Sequence, residues 1–144
     1  MLVGQILKDK VIADIVTVTP TTSIGDAASL LSAKKIGAVI VQTKAETYDG
    51  ILSERDVVRE LGVAGSACLT CPVSDIMTEK LEVCSPDDTA LSVLERMSHG
   101  RFRHMPVMDG ARLIGLVSIG DVVQARLAQL AMENSALEGM IMGR

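Results

Sequence analysis

Aromatic residues are almost absent from this chain of 144 residues, which holds one Tyr, one Phe and no Trp. Proteins that bind single-stranded nucleic acid without sequence preference stack the bases on aromatic side chains, so the sequence argues against that class. The chain has 14 basic and 18 acidic residues and a formal net charge of -4, which opposes the broad positive field of nonspecific nucleic-acid binding. Nucleic acid is therefore not expected as a partner.

Long apolar runs and an even set of cysteines are also missing. Apolar stretches such as 36–41 have the length of a strand, whereas a membrane-spanning helix needs about 20 residues. The opening MLVGQILKDK lacks the layout of a signal peptide. Cys68, Cys71 and Cys84 are odd in number, so we expect reduced thiols. Together these observations predict a cytoplasmic protein with no membrane segment.

Motifs for catalysis and metal binding are scarce. His99 and His104 are the only histidines, and the sequence has no Ser/His/Asp order, Walker loop or Rossmann glycine pattern. Cys68 and Cys71 have the spacing of half a zinc or redox site, but no second CxxC follows. We therefore predict no enzyme activity, no metal site and no catalytic cofactor.

An internal repeat is the most informative feature that the sequence does have. Residues 50–58, GILSERDVV, align with residues 115–123, GLVSIGDVV, at an offset of 65 (115 − 50), with five of nine positions identical. Upstream, Pro20 aligns with Pro86 and Val41 with Val107 at an offset of 66 (86 − 20). A unit of half this length buries too little surface to be stable alone, so we expect the two copies to share an interface.

Each copy predicts the order β-α-β-β-α. The first strand, 15–19 or 81–85, is stopped by a proline. In the first copy, Ser23 and Asp26 predict a capping box at the start of a helix, and Gly37 is positioned to end it. Two strands follow, 38–42 and 51–53 in one copy and 105–108 and 113–118 in the other. The predicted class is α/β, with helices covering the sheets and a pseudo-twofold axis between the copies.

Two segments have no counterpart in the repeat. Residues 62–72, rich in Gly, Ala and Ser, predict a flexible connector that follows a helix broken near Gly62, and a short helical segment follows at 73–77. From Val122 to about Met142 the spacing of apolar residues predicts an amphipathic helix that needs a partner surface. The predicted domains are 8–64, 73–127 and a helical extension at 128–144. The apolar positions are Val123, Leu127, Leu130, Ala131, Leu137, Met140 and Ile141.

The pair Ser-x-x-Asp occurs directly after a strand in both copies, as Ser53/Asp56 and Ser118/Asp121. A serine followed three residues later by an acid is a capping box, and that structural role alone explains the pattern. A helix start also offers N–H groups to a phosphate, and a carboxylate in its first turn can accept both hydroxyls of a ribose. The two interpretations are compatible.

A basic cluster, 101–104, precedes the buried strand of the second copy. Cations near a helix end are usually solvated, but this cluster leads into the strand pair that ends at Ser118. Arginine there can give bidentate, charge-assisted hydrogen bonds to phosphate. The first copy carries its basic residues elsewhere, at Arg55 and Arg59 in place of Gly120 and Gln124. We therefore expect two related but unequal sites.

Several motifs in order make the chain resemble a tandem CBS-domain pair, also called a Bateman module. They span about 8–127 and are the repeated Gly-x-x-Ser-x-x-Asp units, the prolines that stop the first strands, Asp75-Ile76-Met77-Thr78, and Arg103-His104-Met105-Pro106-Val107. The sequence is similar to small bacterial stand-alone CBS proteins. The resemblance implies two βαββα repeats that bind an adenosine nucleotide in the clefts between them, and a homodimer that regulates another protein.

The resemblance also implies roles for residues at matching positions. Asp121 and Asp56 would hold ribose hydroxyls, while Ser118 and Ser53 would contact phosphate. AMP is the expected ligand, with ATP, ADP or NAD as alternatives, and a ligand-free dimerisation scaffold is the rival function. The first copy has Ala13-Asp14-Ile15-Val16 in place of the Asp75 motif. The main site is completed by Thr78, Arg101, Arg103 and His104, with the backbone of Met105 and Pro106, and the second site by Gly37, Ala38 and Arg55.

Overall fold

The computed structural model describes residues 1–9, 15–79 and 82–141, and these form a mixed α/β protein. Its elements, in chain order, are α1 (Val3–Asp9), β1 (Thr17–Val18), α2 (Ile24–Lys34), β2 (Ala38–Val41), β3 (Gly50–Ser53), α3 (Glu54–Ala64), two 3₁₀ helices (Gly65–Thr70 and Val73–Asp75), α4 (Ala90–Gly100), β4 (His104–Asp109), β5 (Arg112–Ser118) and α5 (Ile119–Ile141). The predicted α/β class and the C-terminal helix are confirmed.

The described residues divide into two compact units. The first-copy unit takes its residues from Asp14–Glu82 and Gly110–Ile114. The second-copy unit takes them from Met1–Ala13, Val83–Asp109 and Gly115–Arg144. Neither unit is a continuous stretch of the chain, although most of each copy of the sequence repeat lies in one unit.

The first-copy unit is built on a three-stranded sheet of order β1-β2-β3. β1 runs parallel to β2, and β2 runs antiparallel to β3 with Ala38 opposite Ser53. All four residues of β2 are buried, because α2 and α3 cover the sheet with apolar side chains. The core consists of aliphatic residues and one cysteine, including Ile24, Leu31, Val39, Val41, Leu52, Val57 and Cys68.

The start of helix α2 has one of the two hydrogen bonds of the predicted capping box, and the helix ends earlier than predicted. The Ser23 hydroxyl oxygen accepts a hydrogen bond from the Asp26 N–H at 3.0 Å. The helix closes at Lys35, which adopts a left-handed conformation with φ 55° and donates its N–H to carbonyl oxygens of the last turn. The prediction that Gly37 ends the helix is therefore wrong, because a non-glycine residue already takes the left-handed position.

The predicted flexible connector at 62–72 is also wrong. α3 continues through Gly62 to Ala64, and Gly65, with φ 72°, ends it. Residues Gly65–Thr70 then form a 3₁₀ helix that packs against α2 and α3. Burial of the Cys68 side chain anchors this segment to the core, which composition alone does not reveal. The predicted helical segment at 73–77 is confirmed in shortened form as the 3₁₀ helix Val73–Asp75.

The segment that precedes each copy is hydrogen-bonded within the unit of the other copy. Residues 1–4 pair with the turn before α4, and residues 71–74 pair with the turn before α2. The two sets of bonds occupy equivalent repeat positions and lie between 2.8 and 3.1 Å. They run from Ala90 N to Met1 O, Val3 N to Asp88 O and Gly4 N to Pro86 O in one unit, and from Ile24 N to Cys71 O, Val73 N to Thr22 O and Ser74 N to Pro20 O in the other.

The second-copy unit contains β4, the part of β5 from Gly115 onward, and the helices α1, α4 and α5. β4 and β5 form a two-stranded sheet. α4 packs on α5, and α1 also contacts α5. The predicted strand 81–85 begins at Leu81, which lies outside the described residues, and Cys84 forms a single parallel bridge with Val107. In the first copy, Val18 lies opposite Val41 at the equivalent positions. The two copies therefore have the same strand register here. Met142, the predicted helix end, also lies outside the described residues.

The three cysteines are free and differ in exposure. Cys68 and Cys84 are buried, whereas Cys71 is half-buried. Burial, and after it the charge of Asp88, raises the pKa of the Cys84 thiol from 9.0 to about 12. In the described part of the chain, no group of His, Cys, Asp and Glu side chains could hold a metal ion. No helix among the described residues is long and apolar enough to cross a membrane.

These exposures predict the order in which the thiols react. Because the thiolate is the reacting species, we expect a chromogenic disulfide reagent at pH 8 to label Cys71 first and Cys84 at least about tenfold more slowly. Labelling should be followed with and without urea. Cys71→Ser should abolish the fast phase in the folded protein, and a fast phase that survives this substitution would contradict the burial of Cys68 and Cys84.

Candidate functional site

The junction of β5 and α5 forms the first candidate site. The Ser118 N–H donates to Asp121 Oδ2 at 2.9 Å, and the Asp121 N–H donates to Ser118 Oγ at 3.1 Å. The capping box predicted from the sequence is therefore present. A carboxylate has about four lone-pair positions, so a cap of this kind does not exhaust its capacity to accept hydrogen bonds.

The start of β4 is fixed beside this junction. The Arg103 carbonyl oxygen accepts a hydrogen bond from the Ile119 N–H, the first amide of α5, at 2.8 Å. β4 begins at the next residue, His104, and lies next to β5 in the sheet. The structure thus brings the backbone of Arg103 and His104 together with Ser118 and Asp121. The side chain of Arg103, the residue whose carbonyl oxygen accepts this bond, is exposed.

Arg101 lies two residues earlier, in the turn that ends α4. It caps that helix in a left-handed conformation with φ 57°, and its side chain is exposed. A positively charged residue at the C-terminus of a helix interacts favourably with the helix dipole. A structural role at the helix end is thus compatible with the predicted phosphate contact, and Arg101 remains a predicted member of the site.

Met105 and Pro106 lie in the buried part of β4. The Pro106 carbonyl oxygen accepts a hydrogen bond from the Cys84 N–H at 2.9 Å and a weaker one from the Cys84 thiol at 3.6 Å. That carbonyl therefore already pairs with the segment on the side of β4 that holds Cys84. The predicted contact of Met105 and Pro106 with a base remains a prediction.

Thr78 lies in the first-copy unit. Its N–H and carbonyl form a two-bond antiparallel bridge with Ile51, at 2.9 and 3.0 Å. This bridge places Thr78 alongside β3, near Ser53 at the end of that strand. The sequence assigned Thr78 to the site of Asp121, and that assignment remains a prediction.

The first copy repeats the junction in detail. The Ser53 N–H donates to Asp56 Oδ2 at 2.9 Å, and the Asp56 N–H donates to Ser53 Oγ at 3.2 Å. The Glu54 N–H donates to the Gly37 carbonyl oxygen at 2.9 Å, which is the equivalent of the bond between Ile119 and Arg103. Gly37, Ala38, Ser53 and Asp56 are therefore brought together as predicted, while the Arg55 side chain is exposed.

The two junctions differ in the residue that lies three positions after the aspartate. Asp56 is 8% exposed, and its Oδ1 lies 3.5 Å from the Arg59 guanidinium, whose side chain is 71% exposed. The second copy has Gln124 at the position of Arg59. Arg59 is not among the predicted site residues. Its i,i+3 spacing from Asp56 on a helix is the signal in the sequence that indicates this ion pair.

An open groove of about 520 Å³ lies on the helical side of the first-copy unit, between α2 and α3. Leu31, Val57 and Val58 give it an apolar floor, and Lys35 and Glu54 supply charge. Gly37, a predicted residue of the second site, also lines this groove. Gly37 therefore takes part both in this groove and in the Ser53/Asp56 junction.

The comparisons with known proteins agree on one family. The sequence profile of the CBS domain matches residues 3–63 and 73–128. The crystal structure of a CBS-domain containing protein from Agrobacterium tumefaciens is 44% identical, with a TM-score of 0.83, and the match covers 88% of this chain and 99% of that one. The mitochondrial CBS domain-containing protein CBSX3 of Arabidopsis thaliana is 35% identical over 129 residues, which are 87% of this chain and 63% of the plant protein. The chain thus spans less than two thirds of that relative's length.

Two more distant structures share the fold and contain ligands. The CBS domain protein of Pyrobaculum aerophilum was solved in complex with AMP, and the match has 21% identity, a TM-score of 0.77 and coverage of 92% and 99% of the two chains. The CBS domain pair of protein MJ0100 was solved with 5′-methylthioadenosine and S-adenosyl-L-methionine, at 23% identity, a TM-score of 0.77 and coverage of 90% and 98%. At these identities the likeness demonstrates the fold alone.

Proposed function

The chain belongs to the CBS-domain family as a tandem pair of repeats, and from this premise we propose that it is a regulatory module that binds an adenosine nucleotide, AMP before others, at the Ser118/Asp121 junction. The observation that carries the proposal is the duplicated junction itself. In both copies one serine and one aspartate fix the start of a helix, and the first amide of that helix is tied to the residue before the neighbouring strand.

The chemistry of the junction suits a nucleoside monophosphate. The two hydroxyls of a ribose are donors, and a carboxylate can accept from both. The phosphate needs donors and positive charge, which Ser118, Arg101, Arg103 and His104 can supply. The AMP complex of the Pyrobaculum protein supports this ligand class, since that protein has the same fold.

The proposed sites are unequal. The Asp121 site is the stronger one, because Arg103 and His104 stand at its strand start where the first copy has Gly37 and Ala38. At the first-copy site, a ribose must compete with Arg59 for the carboxylate. The module acts in the cytoplasm, as a homodimer and without catalysing a reaction, by changing conformation when nucleotide binds and passing that change to a partner protein.

Calorimetric titration of the full chain with AMP, ADP, ATP, NAD and S-adenosylmethionine tests this function directly. We expect AMP to bind and one site to dominate. If none of the five ligands binds, the nucleotide-sensor function is excluded, and the rival function of a ligand-free interaction scaffold is favoured. Preference for S-adenosylmethionine over AMP would retain an adenosine site and change the signal that the module reads.

Arg59→Gln tests the difference between the sites. An exposed ion pair contributes about 0–1 kcal/mol, so removing it should raise the AMP affinity of the first-copy site by up to about fivefold. The measurement is best made by calorimetry in the Asp121→Asn background, which leaves the first-copy site to be observed alone. Gln124→Arg is the reciprocal variant and should weaken the second-copy site. A loss of affinity in Arg59→Gln would show that Arg59 supports the ligand instead of competing with it.

A further inference from the structure

Helix α5 has two different apolar faces. Val122 and Ala125 are buried, on the side that packs in the second-copy unit. On the other side a row of large apolar side chains is exposed, with Leu127 at 62% and Leu137 at 54%. The row continues beyond the packed part of the helix to its last described residue, Ile141.

The spacing of the exposed row is that of a coiled coil. Five of its members and Asn134 lie alternately four and three residues apart, which is a 3.5-residue period: Val123, Leu127, Leu130, Asn134, Leu137 and Ile141. Met132 and Met140 are also exposed and lie outside this pattern. Leu127, Asn134 and Ile141 take the a positions of a heptad, and Val123, Leu130 and Leu137 take the d positions. We name these six residues the α5 seam. At 1.5 Å per residue the seam is about 28 Å long.

The single polar residue of the seam, Asn134, identifies the occupant. An asparagine that is buried between helices needs both a donor and an acceptor, and an identical asparagine supplies both. One asparagine at an a position also specifies two strands in parallel register. A second copy of this chain therefore fits the seam through an isologous, twofold contact.

We propose that the α5 seam pairs with the same seam of a second copy as a parallel two-stranded coiled coil. This inference goes beyond the proposed nucleotide site, because it assigns the surface on which two chains associate. It does not depend on ligand binding, and the AMP titration described above can be repeated on a dissociated variant. Failure of the seam and failure of the nucleotide site are therefore separate results.

Charges beside the seam make the pairing weak. In a parallel pair, a g residue of one chain faces the e residue five positions later in its partner. Glu133 at g would thus face the partner's Glu138 at e, and Arg126 would face the partner's Ala131. Two like-charged pairs oppose association at neutral pH and low salt, so we expect the dimer to become tighter as salt is raised.

The location of the seam is tested by two aspartate substitutions on the same helix. Leu137→Asp places a charge in the seam and should weaken dimerisation at least about tenfold in sedimentation equilibrium. Met132→Asp is the matched control, because Met132 is 70% exposed and lies at an f position away from the seam. Both side chains are exposed, so circular dichroism and melting should be unchanged. Equal dimerisation constants for the two variants would overturn the proposal.

The parallel register is tested by Glu138→Lys. This change converts both repulsive pairs with Glu133 into attractive ones and should tighten the dimer several-fold at low salt. Glu95→Lys, an exposed charge reversal on α4, controls for the change in net charge. An equal effect of the two variants, or weaker association of Glu138→Lys, would exclude the parallel pairing.

Discussion

Replacing Val3 by aspartate is expected to lower the free energy of unfolding by about 3–5 kcal/mol, the cost of an unpaired charge in a protein interior. Val3 is 0% exposed, and its N–H donates to the Asp88 carbonyl oxygen at 2.9 Å. The side chain therefore belongs to the core of the second-copy unit, although residues 14–82, which belong to the first-copy unit, separate α1 from the rest of that core. Urea denaturation followed by circular dichroism measures the change.

Leu2→Asp is the matched control for this prediction. Leu2 is the preceding residue and is 41% exposed, so a charge there should change the free energy of unfolding by no more than about 0.5 kcal/mol. Similar denaturation midpoints for the two variants would show that α1 does not contribute to the core of the second-copy unit.

The packing of α1 in the second-copy unit could not be predicted from the sequence. The periodicity of apolar residues correctly predicted α2, α4, α5 and the four strands β2 to β5, because each of these elements buries a face within its own copy. Helix α1 has only seven residues, and its buried residues Val3 and Ile6 pack in the unit of the other copy. An alignment of the repeat does not indicate which unit the segment before each copy joins.

The two wrong predictions in the first-copy unit have a common cause. Gly62 and Gly37 were taken as helix ends because glycine favours such positions, but the chain ends its helices at Gly65 and Lys35. A Cβ at Gly62 would meet nothing within 4 Å, so this glycine faces open space and is tolerated within α3. Burial of Cys68, which depends on tertiary packing, determined the course of the segment that follows.

The Ser/Asp junctions of the candidate site could be predicted from the sequence, whereas the binding role of their residues stays a prediction. The serine and aspartate of each junction lie three residues apart on one turn, so local spacing was enough to bring them together. The neighbouring strand followed from the repeat. The bridge of Thr78 to Ile51 could not be predicted from the repeat, because the segment that holds Thr78 belongs to the first-copy unit. The ion pair of Arg59 with Asp56 was not predicted, because the Arg59 side chain is exposed.

Replacing Asp121 by asparagine is expected to weaken AMP binding about ten- to hundredfold. Hydrogen bonds to a charged group contribute about 1.5–3 kcal/mol, and 1.4 kcal/mol corresponds to a factor of ten in affinity. Asparagine keeps one oxygen, which can still accept from the Ser118 N–H and preserve the cap, but it cannot accept from both ribose hydroxyls in addition. Calorimetric titration of the variant with AMP measures the loss.

Asp26→Asn is the control for the loss of a carboxylate in the first turn of a helix. Asp26 follows Ser23 at the same spacing at the start of α2, and its N–H donates to Ser23 Oγ at 3.0 Å. Both substitutions remove a carboxylate charge from the first turn of a helix and keep the serine cap, so their effects on stability should be small. AMP affinity should fall only in Asp121→Asn. If both variants bind AMP as tightly as the unmodified chain, Asp121 is a helix cap alone and the nucleotide site must lie elsewhere.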